Sequence, residues 1–139
     1  MTEGLTLVLR NRLEDIGGMC AAVEAFFAER DLDPRAAAHL TLALDELATN
    51  VISYAFEPGT EVEAAVRITL RHEGRAVWAV IEDAGRPFDP LSVPQADTAA
   101  DLDDRQVGGL GVHLARQVVD EIAYERADGR NRLRLCKRL

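Results

Sequence analysis

The chain has 139 residues, with 24 acidic and 16 basic side chains and a formal net charge of −8 at pH 7. This length suits a chain that buries one core of its own, so we expect a single domain over residues 1–139. The acidic charge argues against a nucleic-acid binder, whose affinity depends on clustered Lys and Arg side chains near phosphates.

The first half of the chain predicts one strand followed by two helices. Apolar residues alternate at positions 5, 7 and 9, which indicates an edge or outer strand, and from Leu13 to Glu29 they recur at helical spacing. Asp33 and Pro34 then supply a capping side chain and a first-turn proline for a second helix, which runs to about Tyr54. The apolar positions of this second helix predict that one of its faces packs on a sheet.

The second half predicts two antiparallel hairpins separated by an irregular segment and a third helix. The four strands are expected at Val62–Arg71, Ala76–Glu82, Glu121–Arg126 and Arg132–Lys137. Residues 86–107 contain three prolines and no periodicity, which is typical of a lid, and the third helix is expected from about Leu110 to Val119. This order predicts an α/β two-layer sandwich: one mixed, mostly antiparallel sheet with the helices on one face.

Cysteine usage and the N-terminal sequence indicate the compartment. Cys20 and Cys136 lie far apart and form neither a metal-binding spacing nor a disulfide framework. The N-terminus lacks a signal-peptide pattern, and no run approaches the roughly 18 apolar residues of a membrane span. We therefore expect a cytoplasmic protein with reduced thiols.

The first of three functional motifs is the pair Glu46 and Asn50 in the second helix. Four residues apart, they project from one helix face beside the apolar stripe. An Asn carbonyl oxygen suits Mg2+, and a carboxylate near a terminal phosphate could orient or deprotonate a nucleophile. Taken alone, the pair also fits two solvated side chains, which is the common state of polar helix residues.

The second motif, Asp83-Ala84-Gly85, ends the second strand of the first hairpin. A carboxylate there can accept a hydrogen bond from the adenine amino group, and a glycine lets the backbone approach the base. The same triplet is also common in turns.

The third motif, Gly108-Gly109-Leu110-Gly111, stands between the lid-like segment and the third helix. Each glycine would cost roughly 1 kcal/mol inside a helix, so this run points to a need for backbone freedom. Free amides and the macrodipole at a helix N-terminus favour a phosphate, and a flexible hinge is the alternative. Arg105, just before the glycines, could reach a γ-phosphate or be solvated.

In this order the motifs resemble the N, G1 and G2 boxes of the ATP-binding domain shared by type II topoisomerases, heat-shock chaperone ATPases, mismatch-repair ATPases and sensor histidine kinases. The chain most resembles the anti-sigma-factor serine/threonine kinases of bacterial partner switching. The resemblance implies an α/β sandwich in which Asn50 binds Mg2+, Glu46 is the general base and Asp83 reads adenine. It also implies that Gly85 lines the base pocket, and that phosphates of ATP lie on Gly108, Gly109, Leu110 and Gly111.

The resemblance implies partners as well. Kinases of this branch phosphorylate a small anti-anti-sigma protein on serine or threonine and sequester a sigma factor. We therefore expect an anti-anti-sigma-type partner and a sigma factor, with no direct contact to nucleic acid or membrane, and a homodimer stays open.

The sequence departs from the family pattern at two positions, so two alternative functions stay open. Gly85 is followed by Arg86-Pro87 where the G1 box commonly continues to a second glycine, and Asn131 stands where many relatives carry threonine. Reduced nucleotide affinity would fit both departures. The rivals are a nucleotide-gated binding module without catalysis and an acidic scaffold that binds no nucleotide.

Overall fold

The computed structural model describes residues 4–92 and 107–139 and gives the backbone alone for residues 107–111. Three α-helices, five strands and a short 3-10 helix lie within these ranges. In chain order they are β1 (Gly4–Leu9), α1 (Asp15–Glu29), α2 (Pro34–Tyr54), β2 (Val66–Glu73), β3 (Ala76–Asp83), the 3-10 helix (Pro90–Ser92), α3 (Val107–Val118), β4 (Glu121–Ala127) and β5 (Arg130–Arg138).

The five described strands form one sheet in the order β1-β2-β3-β5-β4. Strand β1 lies at an edge, as expected. All four pairings are antiparallel, so the α/β sandwich is confirmed while the described sheet is antiparallel throughout rather than mixed. The last hairpin folds back so that β5, and not β4, pairs with β3. This crossover places the start of β5 beside the end of β3.

The helices cover one face of the sheet. Alternate residues of β2 and β3 are buried there, and together with the apolar stripes of the helices they form one hydrophobic cluster. The sheet side of the cluster comprises Leu9, Val66, Ile68, Leu70, Val77, Ala79, Ile81, Leu133 and Leu135. Leu40, Leu44 and Leu47 of α2 are fully buried in the same cluster, and each such side chain stabilises the fold by roughly 2 kcal/mol relative to exposure.

Local signals correctly predicted the start of α2 and the last turn. The Asp33 side chain accepts a hydrogen bond from the Arg35 amide at 2.9 Å, with proline in the first turn. Asp128 and Gly129 have φ values of 54° and 72°, the left-handed pair that a two-residue hairpin turn needs.

The other predicted boundaries lie within about two residues of those observed, except at the starts of β2 and α3. Strand β2 begins at Val66 rather than Val62, because the Asn11 side chain accepts from the Val62 amide at 2.7 Å and donates to the Thr60 carbonyl at 2.6 Å. The Asn11 side chain therefore replaces regular strand pairing at residues 60–62, and backbone bonds from Asn11 to the Val62 carbonyl and from Ala65 to the Leu9 carbonyl complete the attachment. Helix α3 begins at Val107 rather than Leu110.

Within the described ranges, no helix combines the length and the apolar character that crossing a bilayer requires.

Candidate functional site

Asn50 lies on α2 at the border of the buried stripe. Its side chain is 2% exposed, and within the described part of the chain its Nδ2 atom has no hydrogen-bond partner. Buried polar atoms are nearly always bonded, and this N–H group could donate to an oxygen of a ligand or of water, whereas a metal ion would need the amide oxygen Oδ1. Glu46, one turn earlier, is half-buried, whereas Leu47 and Val51 face the core. The predicted shared face of Glu46 and Asn50 therefore lies at the edge of the core.

The surroundings of Glu46 favour a proton acceptor. Burial raises the pKa of its carboxyl group, and the neighbouring charge of Asp45 raises it further. Asp45 itself accepts a hydrogen bond from the Thr49 hydroxyl at 3.3 Å. A carboxylate with a raised pKa takes up a proton more readily at neutral pH, which suits a general base.

The side chains around Asn50 could bind Mg2+ only if phosphate oxygens supply further ligands. In residues 4–92 and 107–139, no group of three or more His, Cys, Asp or Glu side chains is arranged to hold a metal. Mg2+ is commonly bound by one or two protein oxygens together with nucleotide phosphates and water. A single amide at the edge of the core matches that mode and does not match a metal site made of protein alone.

Asp83 ends β3 and is 2% exposed. Its Oδ1 atom accepts hydrogen bonds from the Gly85 amide and from Asn131 Nδ2, both at 2.9 Å. Among the described residues Oδ2 accepts none. Burial raises the pKa of Asp83, and these two donors together with the charges of Arg126 and Arg130 oppose the rise.

Gly85 lies against the end of α2. A β-carbon at this position would collide with the Ala55 carbonyl oxygen and would lie 3.0 Å from its carbonyl carbon. The next residue, Arg86, donates from its amide to the same oxygen at 2.9 Å and from Nε to the Tyr54 carbonyl at 2.8 Å. Glycine is therefore required here so that the turn after β3 can seat on the helix that carries Asn50.

The glycine run lies inside α3 rather than before it. Because the helix starts at Val107, Gly108, Gly109, Leu110 and Gly111 all have helical backbone. The amides of a helix's first turn have no acceptor within the helix, and Val107, Gly108 and Gly109 occupy that turn. The glycine run therefore lies at a helix N-terminus, and phosphate binding by Gly108, Gly109, Leu110 and Gly111 stays a prediction. Arg105 and residues 93–106 of the expected lid lie outside the described residues.

Packing brings the helices of two of the three motifs together. Helix α2 packs against α3, through which the helix of Glu46 and Asn50 neighbours the helix that begins with the glycines. The third motif joins them by the contact of Gly85 with Ala55, the residue that follows α2.

Sequence reasoning missed part of the surroundings of Asp83. It identified Asn131 only as a departure from a family pattern, whereas Asn131 directly opposes Asp83 in the β3–β5 register and bonds to it. It did not identify Tyr124, whose hydroxyl donates to Asn131 Oδ1 at 2.5 Å, or Arg126, whose Nη1 donates to the Gly85 carbonyl at 2.9 Å. The available signal was the alternation in the last hairpin, which places Tyr124 on the helix-covered face.

Comparisons with known proteins show the family of this chain. Residues 9–137 match the family described as Histidine kinase-like ATPase domain. The serine/threonine-protein kinase BtrW of Bordetella bronchiseptica is 42% identical over 96 residues, which cover 69% of this chain and 66% of that kinase, just under two thirds of its length.

Two solved structures share the fold. The crystal structure of the RsbU and RsbW domains of a Mycobacterium tuberculosis protein gives a TM-score of 0.73 at 19% identity and covers 99% of this chain and 32% of that one. The histidine kinase domain of a blue-light-activated histidine kinase from Erythrobacter litoralis gives a TM-score of 0.53 at 18% identity and covers 91% and 60%.

Proposed function

Because the chain belongs to the histidine kinase-like ATPase family, which residues 9–137 match, we propose that it is an ATP-dependent serine/threonine protein kinase that regulates transcription through protein partners. The observation that carries this proposal is the buried Asn50 side chain, whose Nδ2 atom has no partner among the described residues, one helical turn from a carboxylate with a raised pKa. The resemblance of 42% to a protein named serine/threonine-protein kinase supports the choice of phosphoryl transfer.

The site offers a distinct group to each part of ATP. The Oδ2 atom of Asp83, which accepts no hydrogen bond from the described residues, would accept from the adenine amino group. The first-turn amides of α3 would bind phosphate oxygens at the positive end of its dipole. Asn50 would hold Mg2+ through its side-chain oxygen, with phosphate oxygens as further ligands. When bound, Mg2+ neutralises phosphate charge.

Glu46 would carry the proton in the transfer step. The hydroxyl oxygen of a partner serine or threonine attacks the γ-phosphorus, and the bond from that phosphorus to the β–γ bridging oxygen breaks. Glu46 accepts the hydroxyl proton, so the products are the phosphorylated partner, ADP and a protonated Glu46. The remaining contribution of the protein is to position the reactants and to stabilise charge.

The proposed substrate is a small anti-anti-sigma-type protein, and a sigma factor is the second partner. Both follow from the resemblance to anti-sigma-factor kinases. We also propose a cytoplasmic location, and a homodimer is the assembly to test by light scattering.

Two measurements test the function. Calorimetric titration with ATP and ADP, with and without Mg2+, is expected to show binding that Mg2+ strengthens. Incubation with γ-labelled ATP and a candidate partner is expected to label the partner. Tight ATP binding without any labelled partner would indicate a nucleotide-gated binding module without catalysis. If neither nucleotide binds, the result would indicate an acidic scaffold protein.

Variants of Glu46 test the assigned base. Glu46→Ala and Glu46→Gln are expected to keep ATP affinity within about threefold and to lower transfer by roughly 100-fold or more. The matched control is Glu63→Gln, which removes the charge of an exposed loop carboxylate and is expected to change neither quantity. Transfer at the wild-type rate in both Glu46 variants would remove the proposed base.

A further inference from the structure

The amide of Asn131 uses its full hydrogen-bonding capacity inside the protein. Its side chain is buried at 3% exposure. Nδ2 donates to Asp83 Oδ1 at 2.9 Å and to the Arg86 carbonyl at 2.8 Å, and Oδ1 accepts from the Phe88 amide at 3.1 Å and the Tyr124 hydroxyl at 2.5 Å. A carboxamide has two donor hydrogens and two acceptor lone pairs. All four are used, so Asn131 has nothing left to offer a nucleotide directly.

The four bonds join four segments at one point, with Tyr124 on β4 as one of the partners. Strand β5 contributes Asn131, β3 contributes Asp83, and the segment after β3 is held at Arg86 and Phe88, the residues on either side of Pro87. Pro87 has no amide hydrogen and a fixed φ, so this segment has few ways to bind the sheet through its own backbone. The side chain of Asn131 supplies the attachment that the backbone of Pro87 cannot.

The same bonds orient the carboxylate of Asp83. Asn131 and the Gly85 amide both donate to Oδ1, which fixes the rotation of the carboxyl group and leaves Oδ2 as the open acceptor. A group held in its binding orientation before the ligand arrives loses less entropy on binding. A freely rotating carboxylate would bind the adenine amino group more weakly.

We propose that Asn131 is a positioning residue for adenine recognition: it orients Asp83 and ties the first residues of the lid, 86–88, to the sheet before nucleotide binds. This inference rests on the proposed ATP site. It assigns the two departures from the family pattern, Pro87 and Asn131, to one structural unit. Tyr124 completes the unit by holding the amide in place.

Threonine at position 131 could not do the same. A hydroxyl has a single donor hydrogen, so it could bond to Asp83 or to the Arg86 carbonyl but not to both. The variants Asn131→Ala, Asn131→Thr and Tyr124→Phe therefore remove successively fewer of the contacts. Tyr124→Phe keeps the ring and removes one hydrogen bond, so it remains informative if Asn131→Ala fails to fold.

The matched control is Asn11→Ala. Asn11 also bridges a loop with both ends of its amide, donating to the Thr60 carbonyl and accepting from the Val62 amide, but it follows the edge strand β1, two strands from Asp83 in the sheet. Asn11→Ala therefore loosens a loop without changing the surroundings of Asp83.

The first readout compares ATP with purine riboside triphosphate, which lacks the 6-amino group and keeps the triphosphate. Wild type is expected to prefer ATP. The ratio of the two affinities is expected to fall roughly tenfold in Asn131→Ala, less in Asn131→Thr and least in Tyr124→Phe, and to stay unchanged in Asn11→Ala. A buried amide with a merely structural role would lower the melting temperature and leave this ratio unaltered.

The second readout needs no nucleotide. Hydrogen exchange of the Gly85 and Phe88 amides is expected to be slow in the free wild-type protein and to accelerate at least tenfold in Asn131→Ala, but not in Asn11→Ala.

The outcomes separate the inference from the function. An unchanged affinity ratio in Asn131→Ala, equal binding of the two nucleotides by wild type, or unchanged Phe88 exchange would each overturn the inference while ATP binding and kinase activity stand. If wild type binds neither nucleotide, the proposed function and the role of Asn131 in adenine recognition fail together. The exchange data then test only whether Asn131 attaches residues 86–88 to the sheet.

Discussion

The α-carbon of Gly85 rests on the backbone of Ala55, with no room for a β-carbon between them. Ala55 follows α2, the helix of Glu46 and Asn50, and Gly85 follows β3, which ends in Asp83. The contact is reinforced by the Arg86 amide, which donates to the Ala55 carbonyl at 2.9 Å. The distance between the proposed phosphate end and the proposed adenine end of the site is therefore set by a backbone-to-backbone contact that tolerates only glycine.

Gly85→Ala is expected to destabilise the protein. The added β-carbon has to displace backbone rather than a flexible side chain, so we expect a loss of about 1–3 kcal/mol of unfolding free energy, measured by urea denaturation, and a fall in ATP affinity. The matched control is Gly18→Ala, on the exposed side of α1 with no atom within 4 Å of the added carbon. That change should instead stabilise by roughly 0.5–1 kcal/mol. Equal stability of the two variants would contradict the assigned contact.

Asp83→Asn is expected to separate stability from binding. Burial raises the pKa of Asp83, so the folded state keeps this proton to higher pH than the unfolded chain, whose value is near 3.8. Stability from this group is present below that value and is lost as pH rises through the raised pKa. The Asn variant should therefore be at least as stable as wild type at pH 7, and its unfolding free energy should fall less with rising pH.

The same variant should bind ATP roughly tenfold more weakly or worse, because an amide N–H would replace the acceptor Oδ2 opposite the adenine amino group. Calorimetry at pH 7 measures this loss. Wild-type ATP affinity in Asp83→Asn would remove Asp83 from adenine recognition, whatever its effect on stability.

Asp45→Asn is expected to shift the pH profile of phosphoryl transfer. Glu46 acts as a base only when deprotonated, so transfer should rise with pH through the pKa of Glu46, which burial and then Asp45 raise. Removing the Asp45 charge lowers that pKa, so the rise should begin at lower pH, as measured by kcat/KM against pH with a protein partner. Thr49→Val removes the hydroxyl that bonds to Asp45 without changing charge, and its profile should stay in place. An unmoved profile in Asp45→Asn would mean that another group sets the pH dependence.

Local chemistry predicted those elements whose signals lie within a few residues. The Asp33–Pro34 start of α2 and the Asp128–Gly129 turn depend only on their own side chains and backbone angles, and both were correct. The start of β2 was wrong because the partner of Val62 is a side chain 51 positions away, which no local pattern shows.

The start of α3 was wrong for a related reason. Three glycines lower helix propensity, so a later start was predicted, but the packing of α3 on α2 outweighs that preference.

The residues of the candidate site also divide into those that local sequence can indicate and those that it cannot. Glu46, Asn50, Asp83 and Gly85 could be proposed from the sequence because their order and spacing resemble the boxes of a known ATP-binding domain, and their roles stay predictions. The saturated amide of Asn131 could not, since its four partners come from β3, β4 and the segment after β3, and they meet only through the sheet register.

Asp15 forms an ion pair with Arg10, and the contribution of this pair to stability changes with pH in the opposite direction to that of Asp83. Asp15 begins α1 and accepts from the Arg10 amide at 3.0 Å, from its Nε at 3.2 Å and from its Nη2 at 2.9 Å. The Arg10 side chain is the main cause that lowers the pKa of Asp15 below its ordinary value of 3.8. Stability from this pair is therefore present above pH 4 and is lost as pH falls through the lowered pKa.

Asp15→Asn is expected to lower the melting temperature at pH 7 and to match wild type in strong acid, where both side chains are uncharged. The control is Glu14→Gln, the adjacent carboxylate, which is 71% exposed and meets Arg12 at 3.5 Å, and which should change the melting temperature little because an exposed pair is well solvated. Thermal unfolding monitored by circular dichroism across pH 2–7 measures both variants. A deficit in Asp15→Asn that persists unchanged into acid would assign the effect to helix packing rather than to the charge on Asp15.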